Sequence, residues 1–200
     1  MAESFAGGNR NHQRTESAHM TDSSESIVTP ELRSWIGRKS TLAHLETMSA
    51  SDVRRYVDAT GDANPLWLDD GFARSAGYRS RLLPPTLVGW VPFSMKEGDS
   101  ASSSDTTDLR RQLRLPDGYT NVRNAGAETE WLQPAYIGEQ LSTQSRIVDI
   151  VARQGRAGLG IYITQEEQIL NSRQEIVMRR RHTVAVFPER KFSDEKKETR

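Results

Sequence analysis

No cysteine occurs among the 200 residues of this sequence. Disulfide bonds, thiolate metal ligands and a cysteine nucleophile are therefore excluded. The sequence also lacks an apolar run of about 20 residues, which a membrane-spanning helix needs, and an apolar signal core near its first residue. These absences predict a cytoplasmic protein that neither enters a membrane nor is secreted. Early arginines and serines leave a mitochondrial location open.

An excess of one charge is missing as well. Lysine and arginine together number 27, aspartate and glutamate also number 27, and the formal net charge is +0. Binding to nucleic acid or to an acidic membrane surface normally requires a basic excess, so we expect neither partner. The sequence contains no histidine pair at metal-binding spacing and no glycine-rich phosphate loop. We therefore predict neither a metal ion nor another cofactor.

The length of the chain fits one domain with tails. Residues 1–26 are rich in glycine, asparagine, serine and glutamate and contain few apolar side chains. Such a segment buries too little surface to offset the entropy lost on ordering, so we predict a disordered tail. The folded domain is predicted to span residues 27–188, and residues 189–200 are predicted to form a charged, flexible tail.

The heptapeptide Gly61–Trp67, with the sequence GDANPLW, is the segment around which the other predicted elements are arranged. Gly61 is predicted to end the preceding helix in the left-handed conformation, and Pro65 keeps Asn64 extended. An acid, an amide and an aromatic ring thus lie on a short, stiff connection, where functional groups often occur. A plain polar turn is the alternative interpretation of the same residues.

Helical patterns flank this loop on both sides. Pro30 suits the first turn of a short helix. Ser49 or Ser51 is predicted to cap the helix that leads into the loop. Asp69 and Asp70 are predicted to begin a short helix after it, because acids are favoured near a helix N-terminus.

The segment 87–95 is apolar on nearly every side, which predicts a buried helix with a kink or an early end at Pro92. Residues 97–107 are rich in serine and aspartate and predict a loop. The basic segment 108–114 predicts a solvated helical turn.

Strand-like alternation dominates the second half of the chain. Predicted strands cover residues 38–46, 127–131, 140–152, 159–170 and 174–187. The last three are long and are joined by turns at 154–158 and 171–173, so they predict an antiparallel meander. The sequence thus predicts an α+β domain in which an antiparallel sheet wraps around a central buried helix.

Four segments, in this order, resemble the MaoC-like hydratases and dehydratases. They are GDANPLW at 61–67, LLPPT at 82–86, NAGAETEWLQPAYIGEQL at 124–141 and RRRHTVAVF at 179–187. The closer likeness is to the N-terminal-type variant of that family, which is related to the dehydratase region of type I fatty acid synthases. The resemblance covers about residues 27–187 and implies a single hotdog domain.

The resemblance also implies a partner, a substrate and a set of site residues. The domain would pair side by side with a second hotdog chain, as a homodimer or heterodimer. It would bind an acyl thioester of coenzyme A or of an acyl carrier protein at the interface. Active members add or remove water across a 2-enoyl/3-hydroxyacyl pair, using the motif Gly-Asp-x-Asn-Pro-apolar-His. Carried over, Asp62 and Asn64 would be catalytic, and the substrate-binding residues would be Trp67, Pro85, Thr86 and Gly126.

Two departures from the family motif change the expected chemistry. Trp67 stands where active members have histidine, and an indole N–H can only donate a hydrogen bond, so Trp67 is neither a general acid nor a general base. Pro85 stands where active members have a glycine whose N–H binds the thioester oxygen. Proline has no N–H, which leaves Thr86 as the nearest donor. We therefore predict a supporting subunit whose partner carries the complete motif.

Two alternatives to the supporting subunit stay open. One is a self-sufficient homodimer that uses Asp62, and the other is a non-catalytic acyl-thioester binder or scaffold. Trp131 alternates with acids on a predicted strand and is expected to be largely buried, the alternative being a partly exposed ring that lines the acyl tunnel. The run Arg179–Arg181 predicts a strand surface, although some of these side chains could face an acidic ligand.

Overall fold

A computed structural model describes residues 27–45, 47–90, 108–156 and 158–189 of the chain. Both predicted tails lie almost entirely outside these residues, as do the predicted kink at Pro92 and the predicted loop over 97–107.

The described residues form a five-stranded antiparallel sheet with the strand order β1-β3-β4-β5-β2. Its strands are β1 (Ala43–His44), β2 (Tyr119–Trp131), β3 (Ser142–Gly155), β4 (Gly158–Leu170) and β5 (Ile176–Pro188). The predicted meander of three long strands is confirmed, because β3 pairs with β4 and β4 pairs with β5 along nearly their whole lengths. The longest uncovered edge of the sheet is β2, which pairs with β5 alone.

The strand predicted over 38–46 is much shorter in the structure. Only Ala43 and His44 form a regular ladder with β3. Upstream, the Ser40 hydroxyl accepts a hydrogen bond from the N–H of Ser145 at 3.0 Å, and Gln144 donates its side-chain amide to the Ser40 carbonyl. Backbone hydrogen bonds also continue here, from the Ser40 N–H to the Ser145 carbonyl and from the Ile147 N–H to the Arg38 carbonyl. The segment therefore follows β3 irregularly beyond the two ladder residues, which a periodicity pattern does not reveal.

Within the described part of the chain, five helices and one 3₁₀ turn accompany the sheet. They are α1 (Pro30–Arg33), α2 (Ala50–Thr60), α3 (Pro65–Leu68), α4 (Asp70–Ser75), α5 (Pro85–Trp90) and the 3₁₀ turn Leu109–Gln112. Ser49, the first of the two predicted caps, closes a reciprocal capping box with Asp52 at the start of α2. Gly61 ends α2 in the left-handed conformation with φ 73°, as predicted.

Helix α5 is the central helix of the predicted arrangement. Its Val88 is buried against Ile169, Val177 and Met178 of the sheet. Gly89 approaches the sheet so closely that a Cβ atom placed there would lie 2.7 Å from the Arg180 guanidinium. The α+β arrangement of an antiparallel sheet around a central helix is therefore confirmed.

A second apolar cluster lies elsewhere on the sheet and is covered by α1 and the 3₁₀ turn. Leu109 and Leu113 of the segment 108–114 are buried in it, at 4% and 8% exposure. The predicted helical turn is present at Leu109–Gln112, but the prediction that the segment is solvated was wrong for Leu109 and Leu113. The two leucines are four residues apart, and this spacing was the available sign of an apolar face.

The arginines of β5 are divided between the two faces of the sheet. Arg179 and Arg181 pair with Glu130 and Glu166 at 3.1 and 3.0 Å. Arg180 has the opposite orientation and donates to the Gly89 carbonyl of α5 at 2.8 Å. Its guanidinium also lies 3.7 Å from Glu167. The strand-surface interpretation thus fits Arg179 and Arg181, whereas Arg180 braces the central helix.

Candidate functional site

The Asn64 side chain is used inside its own loop. Asn64 is the N-cap of α3, and its Oδ1 accepts a hydrogen bond from the Leu66 N–H at 3.0 Å. Pro65 follows at the first helical position, where its missing N–H is tolerated. The Asn-Pro pair therefore fixes the shape of the loop, which explains these two residue types without any role in catalysis.

Asp62 and Trp67 meet across the same loop. The indole Nε1–H of Trp67 donates to Oδ2 of Asp62 at 3.2 Å, and the Trp67 ring is 8% exposed. The other carboxylate oxygen, Oδ1, has no hydrogen-bond partner within the described part of the chain. The ring that replaces the motif histidine therefore holds the carboxylate in place and can only donate to it.

Pro85 and Thr86 begin the central helix beside this loop. The Pro85 carbonyl accepts a hydrogen bond from the indole Nε1–H of Trp131 at 3.1 Å. The Thr86 hydroxyl lies in hydrogen-bond contact with the hydroxyl of Tyr56 on α2. The sequence interpretation missed Tyr56. Its place on the core-facing repeat of α2 was the available signal, because a tyrosine hydroxyl on such a face usually finds a polar partner.

An apolar cleft of about 310 Å³ lies between the loop, α5 and the end of the sheet. Trp67, Pro85 and Val88 form one side of it, and Trp131 and Leu132 form another. The remaining lining residues are Leu66, Tyr78, Leu82, Leu83, Gln133, Pro134, Ala135 and Val177. A volume near the lower end of the usual range for ligand pockets, with mostly apolar walls, suits a short acyl chain or one end of a longer one.

The prediction that Trp131 is largely buried was wrong. Its exposure is 49%, and its ring lines the cleft. Trp131 is the last residue of β2, an edge strand, so no neighbouring strand covers its outer side. Alternation along the strand predicted which face the ring occupies but not that the covering layer ends there.

Trp67 and Pro85 are the predicted site residues that line the cleft, and Gly126 is one of those that do not. It lies at a bulge in β2 with φ 128°, opposite Thr183, and its N–H donates to Asn124 Oδ1 at 2.9 Å. Trp131 lies five positions further along the same strand. The substrate-binding role of Gly126 remains a prediction.

Partly buried titratable side chains lie on β4 and β5. Burial raises the pKa of Glu167, although the nearby Arg180 opposes that shift. Burial also lowers the pKa of His182, and the Arg110 guanidinium, 2.7 Å from its Nδ1, lowers it further. This arrangement holds His182 neutral, with Nδ1 accepting from Arg110.

The described residues offer no candidate for a membrane-spanning helix or for a metal-binding cluster. None of their helices has the length and apolar character that crossing a membrane requires. Nor do they contain a group of three or more histidines and carboxylates arranged to hold a metal ion.

Comparison with known proteins identifies the family. Residues 34–180 match the family described as the FAS1-like dehydratase domain region, and the chain therefore belongs to it. The predicted MaoC-like family and single hotdog domain are confirmed.

Three relatives illustrate the likeness. A probable enoyl-CoA hydratase alpha subunit of Thermomonospora curvata is 26% identical over 171 residues, which cover 80% of this chain and 52% of that protein. A UPF0336 protein of Thermobifida fusca is 26% identical over 151 residues, covering 74% of this chain and 93% of the relative. The ChsH1–ChsH2 complex of Mycobacterium tuberculosis contains a chain of the same fold, with TM-score 0.61, 24% identity, and coverage of 75% of this chain and 89% of that one. This chain thus spans about half the length of the hydratase relative.

Proposed function

We propose that the protein is the supporting subunit of an acyl-thioester hydratase or dehydratase. It acts with a second hotdog chain on 2-enoyl and 3-hydroxyacyl thioesters of coenzyme A or of an acyl carrier protein. The observation that carries this proposal is the hydrogen bond from Trp67 to Asp62. A donor occupies the position where the motif requires a group that exchanges protons.

Hydration of a 2-enoyl thioester needs two proton transfers. A base must take a proton from water, and an acid must deliver one to the α-carbon. Trp67 supports neither step, and Asn64 is used as a helix cap. Asp62 alone is left, and one of its oxygens is already engaged. The missing proton-transfer group is therefore assigned to the partner chain.

The contribution of this chain is the wall that holds the acyl group. The cleft beside Trp67 has apolar walls, and the Trp131 ring and the Leu132 side chain are 49% and 45% exposed at its rim. Such exposed apolar side chains at the rim of a cleft favour a second covering surface. The T. curvata relative is named as an alpha subunit, which supports an assembly of unlike chains.

The edge strand β2 is the surface that we assign to the second hotdog chain. It runs for 13 residues, its outer edge has no paired strand among the described residues, and Val122 on it is 61% exposed. A long uncovered edge of this kind is a template for pairing with another strand. Pairing there would place the partner beside Trp131 and the cleft.

The test is a comparison of equivalent substitutions in the two chains of the complex. Asp62→Asn keeps the shape of the side chain and its acceptor for the Trp67 N–H but removes the charge. We expect this variant to reduce hydration of a 2-enoyl thioester by less than about 10-fold. The same change in the partner's motif removes a true acid–base group and is expected to cost about 10²–10⁴-fold. Equal losses in both chains would contradict the proposal.

A non-catalytic acyl-thioester binder is the second candidate. The observation in its favour is that Asp62, Asn64 and Trp67 bond mainly to one another and to their own loop. This candidate predicts that the chain binds acyl thioesters but raises no activity in any hotdog partner. Titration of an acyl thioester, followed by activity assays with a partner co-purified from the native source, separates the two.

A further inference from the structure

Two hydroxyl groups meet where the central helix begins. Tyr56 lies on α2 and Thr86 is the second residue of α5, and their hydroxyl oxygens are in hydrogen-bond contact. The helices that carry them are fixed by packing, because Val53 and Val57 of α2 belong to the same apolar cluster as Val88 of α5. The contact therefore joins two packed helices.

One of the two hydroxyl protons is not needed for the Tyr56–Thr86 hydrogen bond. Each hydroxyl carries one proton and can accept as well as donate, so one proton serves the mutual bond and the other can be donated outward. Thr86 is exposed, which lets a ligand oxygen reach the pair. Pro84 and Pro85 immediately before it contribute no N–H. The hydroxyl pair is thus a side-chain donor at the start of α5, where the other nearby donor, the Trp131 N–H, is already used by the Pro85 carbonyl.

Both ends of the pair are held in position. On the side of α5, the Pro85 carbonyl accepts the indole N–H of Trp131. On the side of α2, the Thr60 hydroxyl donates to the Tyr56 carbonyl at 2.8 Å and accepts the N–H of Asp62 at 3.3 Å. The pair is therefore linked through short contacts to both the cleft and the Asp62 loop. Preorganised donors of this kind are effective ligands for an oxygen that gains negative charge.

We propose that the Tyr56–Thr86 hydroxyl pair binds the carbonyl oxygen of the acyl thioester. This inference rests on the proposed function and assigns Tyr56 a role in it. When water adds to the β-carbon, the electron pair of the double bond moves towards the thioester oxygen. The partner's base takes a proton from that water and, now protonated, delivers it to the α-carbon. The hydroxyl pair stabilises the charge on the oxygen between these two steps.

The test compares two ligands that differ only in that oxygen. S-butyryl-pantetheine has the carbonyl, whereas S-butyl-pantetheine is the matching thioether, and pantetheine is common to coenzyme A and acyl carrier protein. Both are titrated by NMR into the purified full-length chain and its Tyr56→Phe and Thr86→Val variants. We expect either variant to bind the butyryl ligand about 3- to 10-fold more weakly. Binding of the S-butyl ligand is expected to stay unchanged.

Two control variants separate a donor role from loss of packing. Thr86→Ser retains the hydroxyl and is expected to bind the butyryl ligand like the wild type, even if Thr86→Val folds poorly. Tyr162→Phe removes a tyrosine hydroxyl elsewhere in the fold. The Tyr162 ring packs edge-on against Phe187 and lies on the opposite face of β4 from the buried Ile161 and Ile163. This second control is expected to change neither affinity.

Three results would overturn the inference. They are equal affinity of the wild type for the two ligands, equal weakening of both ligands in the variants, and unchanged butyryl binding in both Tyr56→Phe and Thr86→Val. In each case the wild type still binds a thioester arm, so the proposed function survives. If the wild type binds neither ligand, the proposed function fails, and the role of the hydroxyl pair fails with it.

Discussion

Trp67, which replaces the motif histidine, changes the proton chemistry that is open to the Gly61–Trp67 loop. The loop keeps the aspartate, asparagine and proline of the motif, and its backbone follows the caps that those residues favour. Yet the indole N–H can only donate, so it converts Asp62 from a candidate base into a fixed acceptor. Under the proposed function, the proton-transfer pair is therefore incomplete in this chain.

Trp67→Phe tests the energetic side of this contact. The substitution keeps an aromatic ring in the core but leaves Asp62 Oδ2 without its donor. We expect the free energy of unfolding to fall by about 1–3 kcal/mol, as measured by urea denaturation. Trp131→Phe is the matched control, because it removes an indole N–H from a half-exposed bond to a neutral carbonyl. A larger loss in that control than in Trp67→Phe would contradict the assigned role of the Trp67–Asp62 bond.

Glu166 gives a pH-dependent prediction on the outer face of the sheet. Burial alone would raise its pKa, but hydrogen bonds from Arg181 and Arg146 outweigh this and hold the pKa below the ordinary value of 4.5. Because the pKa of Glu166 is lower in the folded state than in the unfolded state, its ion pairs with Arg146 and Arg181 stabilise the fold above pH 4.5. That contribution disappears as the pH falls through the folded pKa.

Glu166→Gln is therefore expected to be most destabilising at neutral pH. Both arginines are about half exposed, so we expect a loss of only about 1–2 kcal/mol at pH 7. The difference from the wild type should shrink below pH 4.5. Glu130→Gln, which breaks an exposed pair with Arg179, serves as the control and should change little at any pH. A Glu166→Gln deficit that grows as the pH falls would refute the assignment.

At the scale of elements, the close approaches between glycines and aromatic or charged side chains set the packing. A Cβ on Gly160 of β4 would lie 2.6 Å from the Phe187 ring on β5. Gly160→Ala is therefore expected to lower the free energy of unfolding by about 1–3 kcal/mol, through displacement of that ring. Gly155→Ala in β3, whose new Cβ would meet only one atom at 4.0 Å, should be nearly neutral in the same thermal or urea unfolding experiment. Similar losses at both positions would show that displacement of the Phe187 ring is not responsible.

The elements that the sequence predicted well are those specified by local chemistry. The Ser49 cap, the left-handed Gly61 and the turns between the long strands each depend on a few neighbouring residues. The elements that were wrong depend on distant contacts. Leu109 is buried by the sheet, and Trp131 is exposed because its strand lies at an edge. The periodicity of a short segment predicts neither the burial of Leu109 nor the exposure of Trp131.

The candidate site likewise contains residues that the sequence identified and one that it did not. The motif located Asp62, Trp67 and Pro85 from sequence, and the structure brings Trp67 and Pro85 to one cleft. Tyr56 escaped notice because its partner Thr86 is 30 positions away in the chain. A hydroxyl pair formed across two helices leaves no pattern in either helix alone.

At the scale of the whole molecule, the described residues form one hotdog domain with a half-open cleft, and within them the outer edge of β2 has no paired strand. Helix α1 begins at Pro30, and Val28 just before it is buried at 2% exposure. Removal of residues 1–26 is therefore expected to leave the unfolding temperature within a few degrees of the full-length value. Circular dichroism of the two proteins checks this boundary, and an insoluble or unfolded product would show that it is misplaced.

The most direct measurement is the hydration rate of a 2-enoyl thioester by the purified chain, alone and with a hotdog partner that retains the motif histidine. Our account predicts little or no turnover by the chain alone and brisk turnover by the complex. Brisk turnover by the isolated chain, abolished by Asp62→Asn in a protein that remains folded, would contradict the supporting-subunit account. It would establish a mechanism that relies on this one carboxylate.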